Sequence, residues 1–127
     1  MLLAWERSSD VVARVSTNKG AGFGARSTIF DGQPSSAKVA FLTNADVAGA
    51  TLLVSGTVVS EGISTRGSIK RSTNNGGTWP KMAGSERTSG FVAGALSGSG
   101  AALVTHLVVD SGLGPTDDAS ITHQRTP

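Results

Sequence analysis

The sequence predicts an all-β chain built from repeated antiparallel sheets. Three observations carry that reading. Glycine is abundant, 17 of 127 residues, beside many Val, Thr, Ser and Ala, while aromatic residues make up only 5%. Such a composition suits many short strands joined by tight turns rather than long helices. Next, the stretch Ser72-Thr73-Asn74-Asn75-Gly76-Gly77-Thr78-Trp79 contains Asn-Gly, whose two residues tolerate the positive φ of a type I′ hairpin turn. Finally, that stretch has a partner, Ser16-Thr17-Asn18-Lys19-Gly20-Ala21-Gly22-Phe23. Ser, Thr, Asn and Gly match in register, an aromatic closes both copies, and the offset from Ser16 to Ser72 is 56 residues.

Taken in order, Leu2 to Trp5 reads as a short apolar strand and Glu6 to Asp10 as a polar turn. Val11 to Val15 is the next strand and leads into the first Ser-Thr-Asn string. Arg26 to Phe30 continues as an outer strand. Asp31-Gly32-Gln33-Pro34-Ser35-Ser36 is a turn or linker, since Gly and Pro punctuate it. Lys38 to Leu42 is a strand, Thr43 to Gly49 a loop, and Thr51 to Val59 the longest β-rich run. After the second string, Pro80 to Ser89 is a mixed polar connection. Phe91 to Leu96 is an apolar run analogous to Lys38 to Leu42. Ser97-Gly98-Ser99-Gly100 is a tight turn, Ala102 to Val109 a strand, and Asp110 to Asp118 a loop. Ser120-Ile121-Thr122-His123 matches the pattern of Ser68-Ile69-Lys70-Arg71, and Thr126-Pro127 stands where a third hairpin would begin.

A second period runs through the strands. Leu2-Leu3-Ala4, Leu52-Leu53-Val54 and Ala102-Leu103-Val104 repeat every 50 residues, and Val58-Val59 repeats as Val108-Val109. These read as three copies of one inner strand. An insertion of about six residues around Ser60 to Gly67 reconciles the two offsets, and surface loops tolerate such insertions. The expected organisation is a single all-β domain with repeat units at approximately 1–36, 37–88 and 89–127.

The two strings resemble the Asp-box, the Ser-x-Asp-x-Gly-x-Thr-Trp hairpin of sialidase-type β-propellers and related bacterial-neuraminidase-repeat proteins. Ser72, Asn74, Gly76, Thr78 and Trp79 occupy its positions in one copy. Ser16, Asn18, Gly20 and Phe23 do so in the other, where Gly22 replaces Thr. Both copies carry Asn where the family usually has Asp; the amide oxygen still accepts a hydrogen bond, but the charge is gone. In that family the motif lies between the third and fourth strands of a blade. The resemblance therefore implies antiparallel blade-like repeats of a β-propeller. Closed propellers have about four to eight four-stranded blades, and this chain holds one central blade, most of another and the first half of a third. Three arrangements follow: a piece of a longer propeller, a propeller completed by oligomerisation, or a small β-sandwich or barrel.

For function the resemblance implies a comparison with sialidases, which use an arginine triad, a Tyr nucleophile supported by Glu, and an Asp acid/base. The chain contains no Tyr, so that nucleophile is missing and no catalytic residue is assigned. Arg14, Arg71 and Arg125 stand at similar places in the repeats and read as structural or solvent-facing. The motif itself marks a fold rather than an activity. The expectation is a noncatalytic binding or structural module that engages a glycan or protein and self-associates, because an open set of sheets leaves edges and apolar faces. Trp5, Arg14 and Arg71 are the candidate ligand contacts, Trp5 for stacking on a sugar; Phe23 and Trp79 are expected in the core. Two alternatives stand beside it: a fragment of a sialidase-like glycoside hydrolase with catalytic residues outside this chain, and a self-assembling structural β-protein.

Other functions find little footing. A formal charge of +2 with both signs scattered gives no basic face for nucleic acid. The absence of Cys removes disulfides and thiolate metal sites and leaves the compartment open. The first residues lack the pattern of a signal peptide, and no stretch has the length of a membrane helix. No cofactor or metal is expected. Asp117-Asp118 reads as a solvated loop pair, and His106 and His123 lack a third zinc ligand. No Gly-x-Ser-x-Gly elbow is present. Gly20 to Gly24 lacks the Lys-Ser/Thr of a phosphate loop. Glu6 and Glu61 form an acid/base pair only if folding joins them.

Overall fold

Short runs of apolar, β-branched and small residues drive most of this chain into extended strands, whose successive side chains point to opposite faces. The computed structural model describes residues 1–33, 37–60, 64–88, 90–109 and 119–126. Among them the strands are β1 (Leu2–Arg7), β2 (Asp10–Val15), β3 (Ser27–Phe30), β4 (Lys38–Ala48), β5 (Thr51–Ser60), β6 (Ser64–Ser72), β7 (Arg87–Thr88), β8 (Phe91–Leu96), β9 (Ala102–Val109) and β10 (Ala119–Thr126). The fold is all-β with no helix among the described residues. Three antiparallel sheets run in the orders β1-β2-β3, β4-β5-β6-β7 and β10-β9-β8, and none closes into a barrel.

The sheets stack face to face. Val11, Ala13, Ile29 and Phe30 of the first meet Ala40 and Val54 of the second. Leu53 and Ile69 of the second meet Val92, Ala102 and Val104 of the third. Adjacent residues of β5 thus serve different cores, Val54 one and Leu53 the other, as the two-residue period of a strand requires. The second sheet is covered on both sides and each flanking sheet on one. Glycine allows the close approach. A Cβ on Gly56 would lie 2.6 Å from the Phe30 ring, and one on Gly94 would lie 2.7 Å from Ile69 Cδ1.

Two segments correct the expected boundaries. Thr43 to Gly49 is not a loop, because β4 continues to Ala48. A register shift between Leu42 and Asn44 lets it pass, as a bulge does when one extra residue enters a strand. The polar residues there have partners across the stack. Asn44 Nδ2 donates to the Gly94 carbonyl at 2.8 Å, and Asp46 Oδ2 accepts from the Leu96 amide at 2.7 Å. The connection from Pro80 to Ser89 contains the short strand β7, which pairs with Arg66 and Gly67 of β6.

The repeated strands at positions 2, 52 and 102 fall on β1, β5 and β9. In the second and third sheets another strand precedes them, β4 and β8, so β5 and β9 are interior to their sheets rather than first. The difference between the two periods is taken up partly as pairing. β5 and β6 have 10 and 9 residues, whereas β1 and β2 have six each. The expected insertion therefore lengthens a hairpin. Residues 61–63, at its tip, and the expected loop from Asp110 to Asp118 lie outside the described residues.

Candidate functional site

The two Ser-x-Asn-x-Gly strings occupy corresponding places. One joins β2 to β3; the other joins β6 to β7, the third and fourth strands of the second sheet. Their hydrogen bonds agree almost atom for atom. Ser16 Oγ donates to Asn18 Oδ1 at 2.8 Å and accepts from the Gly20 amide at 2.8 Å. Ser72 Oγ donates to Asn74 Oδ1 at 2.9 Å and accepts from the Gly76 amide at 2.9 Å. Asn18 Oδ1 also accepts from the Gly22 amide, and Asn74 Oδ1 from the Thr78 amide, both at 2.9 Å. Positive φ angles follow in each: 57° at Lys19 and 94° at Gly20, 54° at Asn75 and 85° at Gly76. These short side chains replace the backbone partners that a sharp reversal removes.

The copies differ where they close. Asn74 Nδ2 donates to Thr78 Oγ1 at 3.1 Å, a bond that Gly22 cannot provide in the first loop. Trp79 is half-buried against the core between the first two sheets. Its Nε1 is buried without a partner among the described residues. Phe23 is also half-buried and belongs to neither core cluster.

Trp5 and Arg14 come together on one face of the first sheet. Leu3 pairs with Arg14, and Trp5 with Val12, so all four share the face turned away from the second sheet. Arg71 lies elsewhere. Its Nη2 donates to the Gly100 carbonyl at 3.3 Å, while its Nε is buried without a partner among the described residues. Counted from the loop serine, Arg14 stands two residues before and Arg71 one, so the two point to opposite faces of their strands. Arg125 lies in β10 opposite Leu103.

A polar groove of about 540 Å³ opens at the other end of the second sheet, where Lys38 pairs with Ser60. Asp31 reaches it from the first sheet, Lys38, Ser60, Arg66 and Ser68 from the second, and Glu86 from the approach to β7. Glu86 accepts an ion-pair hydrogen bond from Lys81 at 2.7 Å. That bond, then the charge of Lys81 and that of Arg66, holds the Glu86 carboxyl below its usual range. Nearby in the same sheet, partial burial and then the charge of Lys81 pull the Lys70 ammonium below its usual value. Lys70 Nζ stands 5.4 Å from the centroid of the Phe30 ring, within the reach of a cation–π contact. A groove with hydroxyls and both signs of charge suits a ligand rich in hydroxyl or carboxylate groups. These residues converge from strand ends far apart in the chain, so no spacing in the sequence marks them. The one usable signal was the insertion near Ser60.

Glu6 is engaged in the fold: its Oε1 accepts from the Leu42 amide at 2.9 Å. Glu61, Asp117 and Asp118 lie outside the described residues, as do the side chains of His106 and His123. No three His, Cys, Asp or Glu residues gather into a metal site among the described residues. Comparison with protein families, with characterised proteins and with solved structures yields no match.

Proposed function

We propose that this chain is a noncatalytic binding module of the Asp-box propeller type, with its three sheets as successive blades and a glycan or an acidic peptide as ligand. The observation that carries the reading is the shared hydrogen-bond scheme of the Ser16 and Ser72 loops at corresponding places in successive sheets. In both loops the turn amides are taken by the loop's own side chains, so the loops serve as fasteners. Ligand contact falls instead to the groove at the opposite end, where Lys38 and Arg66 supply donors and Asp31 supplies acceptors. Titration with sialylated and neutral oligosaccharides and with an acidic peptide tests it. Saturable binding that Arg66→Ala and Lys38→Ala weaken at least tenfold supports the reading. Absence of binding to all three ligands overturns the groove assignment. Turnover of a fluorogenic sialoside overturns the noncatalytic one.

A second reading, a self-assembling β-protein, draws on a different observation. Leu3 and Leu103 are 47% and 45% exposed on the two outer faces of the stack.

A further inference from the structure

We propose that the outer face of the third sheet packs on the outer face of the first sheet of a second copy, head to tail. This rests on the repeat reading given above. The second sheet provides the template, because both of its faces are in use. Toward the third sheet it presents Leu53, buried and paired with Arg71. Fifty residues on, Leu103 holds the same register opposite Arg125 and faces away from the second sheet, since its neighbours Ala102 and Val104 form the shared core. Phe91, opposite Leu107, likewise repeats Phe41, opposite Thr57; the two are 44% and 41% exposed, so it is Leu103 against Leu53 that marks the difference in cover. The third sheet therefore turns outward the face that the second sheet turns toward its successor.

The first sheet shows the complementary face. The amide of Ser16 donates to the Met1 carbonyl at 2.9 Å, while Ser72 pairs with Leu52. Counted from the loop serine, Leu3 thus corresponds to Val54. Val54 is fully buried against the preceding sheet, whereas Leu3 is covered by no sheet among the described residues. The loops agree. A Cβ on Gly76 would lie 2.6 Å from Val15 Cγ2 of the preceding sheet, whereas one on Gly20 would meet Met1 Sδ of its own sheet. Trp79 packs on the core between the first two sheets, and the equally half-buried Phe23 joins neither core cluster.

These two outer faces match each other and neither matches itself. That defines a heterologous contact, which closes into a ring or continues as a chain according to the rotation per copy. By register, Leu3, Trp5, Thr28 and the buried Val12 share one face with Arg7, Asp10 and Arg14, and Phe91, Ala93, Ala95 and Leu103 form an apolar strip on the other, bordered by Arg125 opposite Leu103.

The test uses Leu3→Lys and Leu103→Lys, each blocking one face, with mass read by light scattering over a range of concentrations. Wild type is expected to form a species of several copies and each variant alone a monomer. An equimolar mixture of the two is expected to form a one-to-one dimer and nothing larger, because each retains the face the other has lost. A wild-type monomer at every concentration overturns the proposal. So does a single variant that still pairs with itself, or a wild-type aggregate of undefined size that neither variant disperses. Circular dichroism checks folding, and Leu3→Gln with Leu103→Gln replaces any lysine variant that fails it; the same outcomes apply. Glycan binding by a wild-type monomer sinks the assembly and leaves the binding module standing. Defined assembly without binding sinks only the groove.

Discussion

Leu53 and Leu103 hold the same register in successive sheets, and Leu3 stands where the second sheet has the fully buried Val54, yet their surroundings differ completely. Leu53 is fully buried, whereas Leu3 and Leu103 keep nearly half their surface exposed. Nothing in the residue type accounts for that. The cause is position in the stack: the second sheet has a neighbour on each side and the others have one. A repeated sequence thus specifies a repeated strand, while burial is set by how many sheets stand alongside. Stability in such a stack is held largely in contacts between neighbours.

The largest expected effect makes this comparison directly. Leu53→Ala should cost about 3 kcal/mol in denaturant unfolding, since it opens a cavity in a core closed on all sides. Leu3→Ala and Leu103→Ala should each cost about 0.5 kcal/mol at dilutions where copies stay apart. Equal costs at all three sites break the argument; a larger cost for Leu3→Ala at high protein concentration sharpens it toward the head-to-tail contact. The loops give the next contrast. Gly76→Ala places a methyl against Val15 at positive φ and should cost about 2 kcal/mol. Gly20→Ala meets only the flexible end of Met1 and should cost about 1 kcal/mol. Thermal unfolding resolves the pair. Asn74→Ala removes three hydrogen bonds and Asn18→Ala removes two; at roughly 0.5–1 kcal/mol per bond the first should be the more damaging. The smallest effect belongs to Glu86→Gln on the exposed face. The folded carboxyl titrates below its unfolded value, so its contribution is present above the ordinary glutamate range and lost as pH falls through the folded value. The gap in Tm between wild type and Glu86→Gln should therefore appear at neutral pH, shrink in high salt and close in acid.

Much of the architecture is legible in the amino acids, and the exceptions have physical reasons. Val11 to Val15, Phe91 to Leu96 and Ala102 to Val109 read as strands because apolar, β-branched runs have few other uses in a chain so rich in glycine. The turns at Lys19-Gly20 and Asn75-Gly76 read as turns because glycine accepts positive φ. The second half of β4 does not, since Asn44 and Asp46 look like loop residues until the third sheet supplies Gly94 and Leu96 as partners. β7 is two residues long and carries no pattern at all. Among the candidate contacts, Trp5 and Arg14 share a face that pairing register alone determines, and no spacing in the chain predicts Arg71 reaching Gly100. The groove was invisible for the same reason: Asp31, Lys38, Arg66 and Glu86 meet only after three strands and a connection are in place.

The lengthened β5–β6 hairpin has a consequence of its own. At the loop end, the Ser, Asn and Gly of each turn are committed to a bond or a φ angle, and change there is penalised. At the far end, extra pairs such as Ser60 with Ser64 extend past the point where the first sheet stops. Those positions bear little of the stacking, yet Ser60 borders the groove. The molecule thereby separates an end that must be preserved from an end whose length and lining are free to drift.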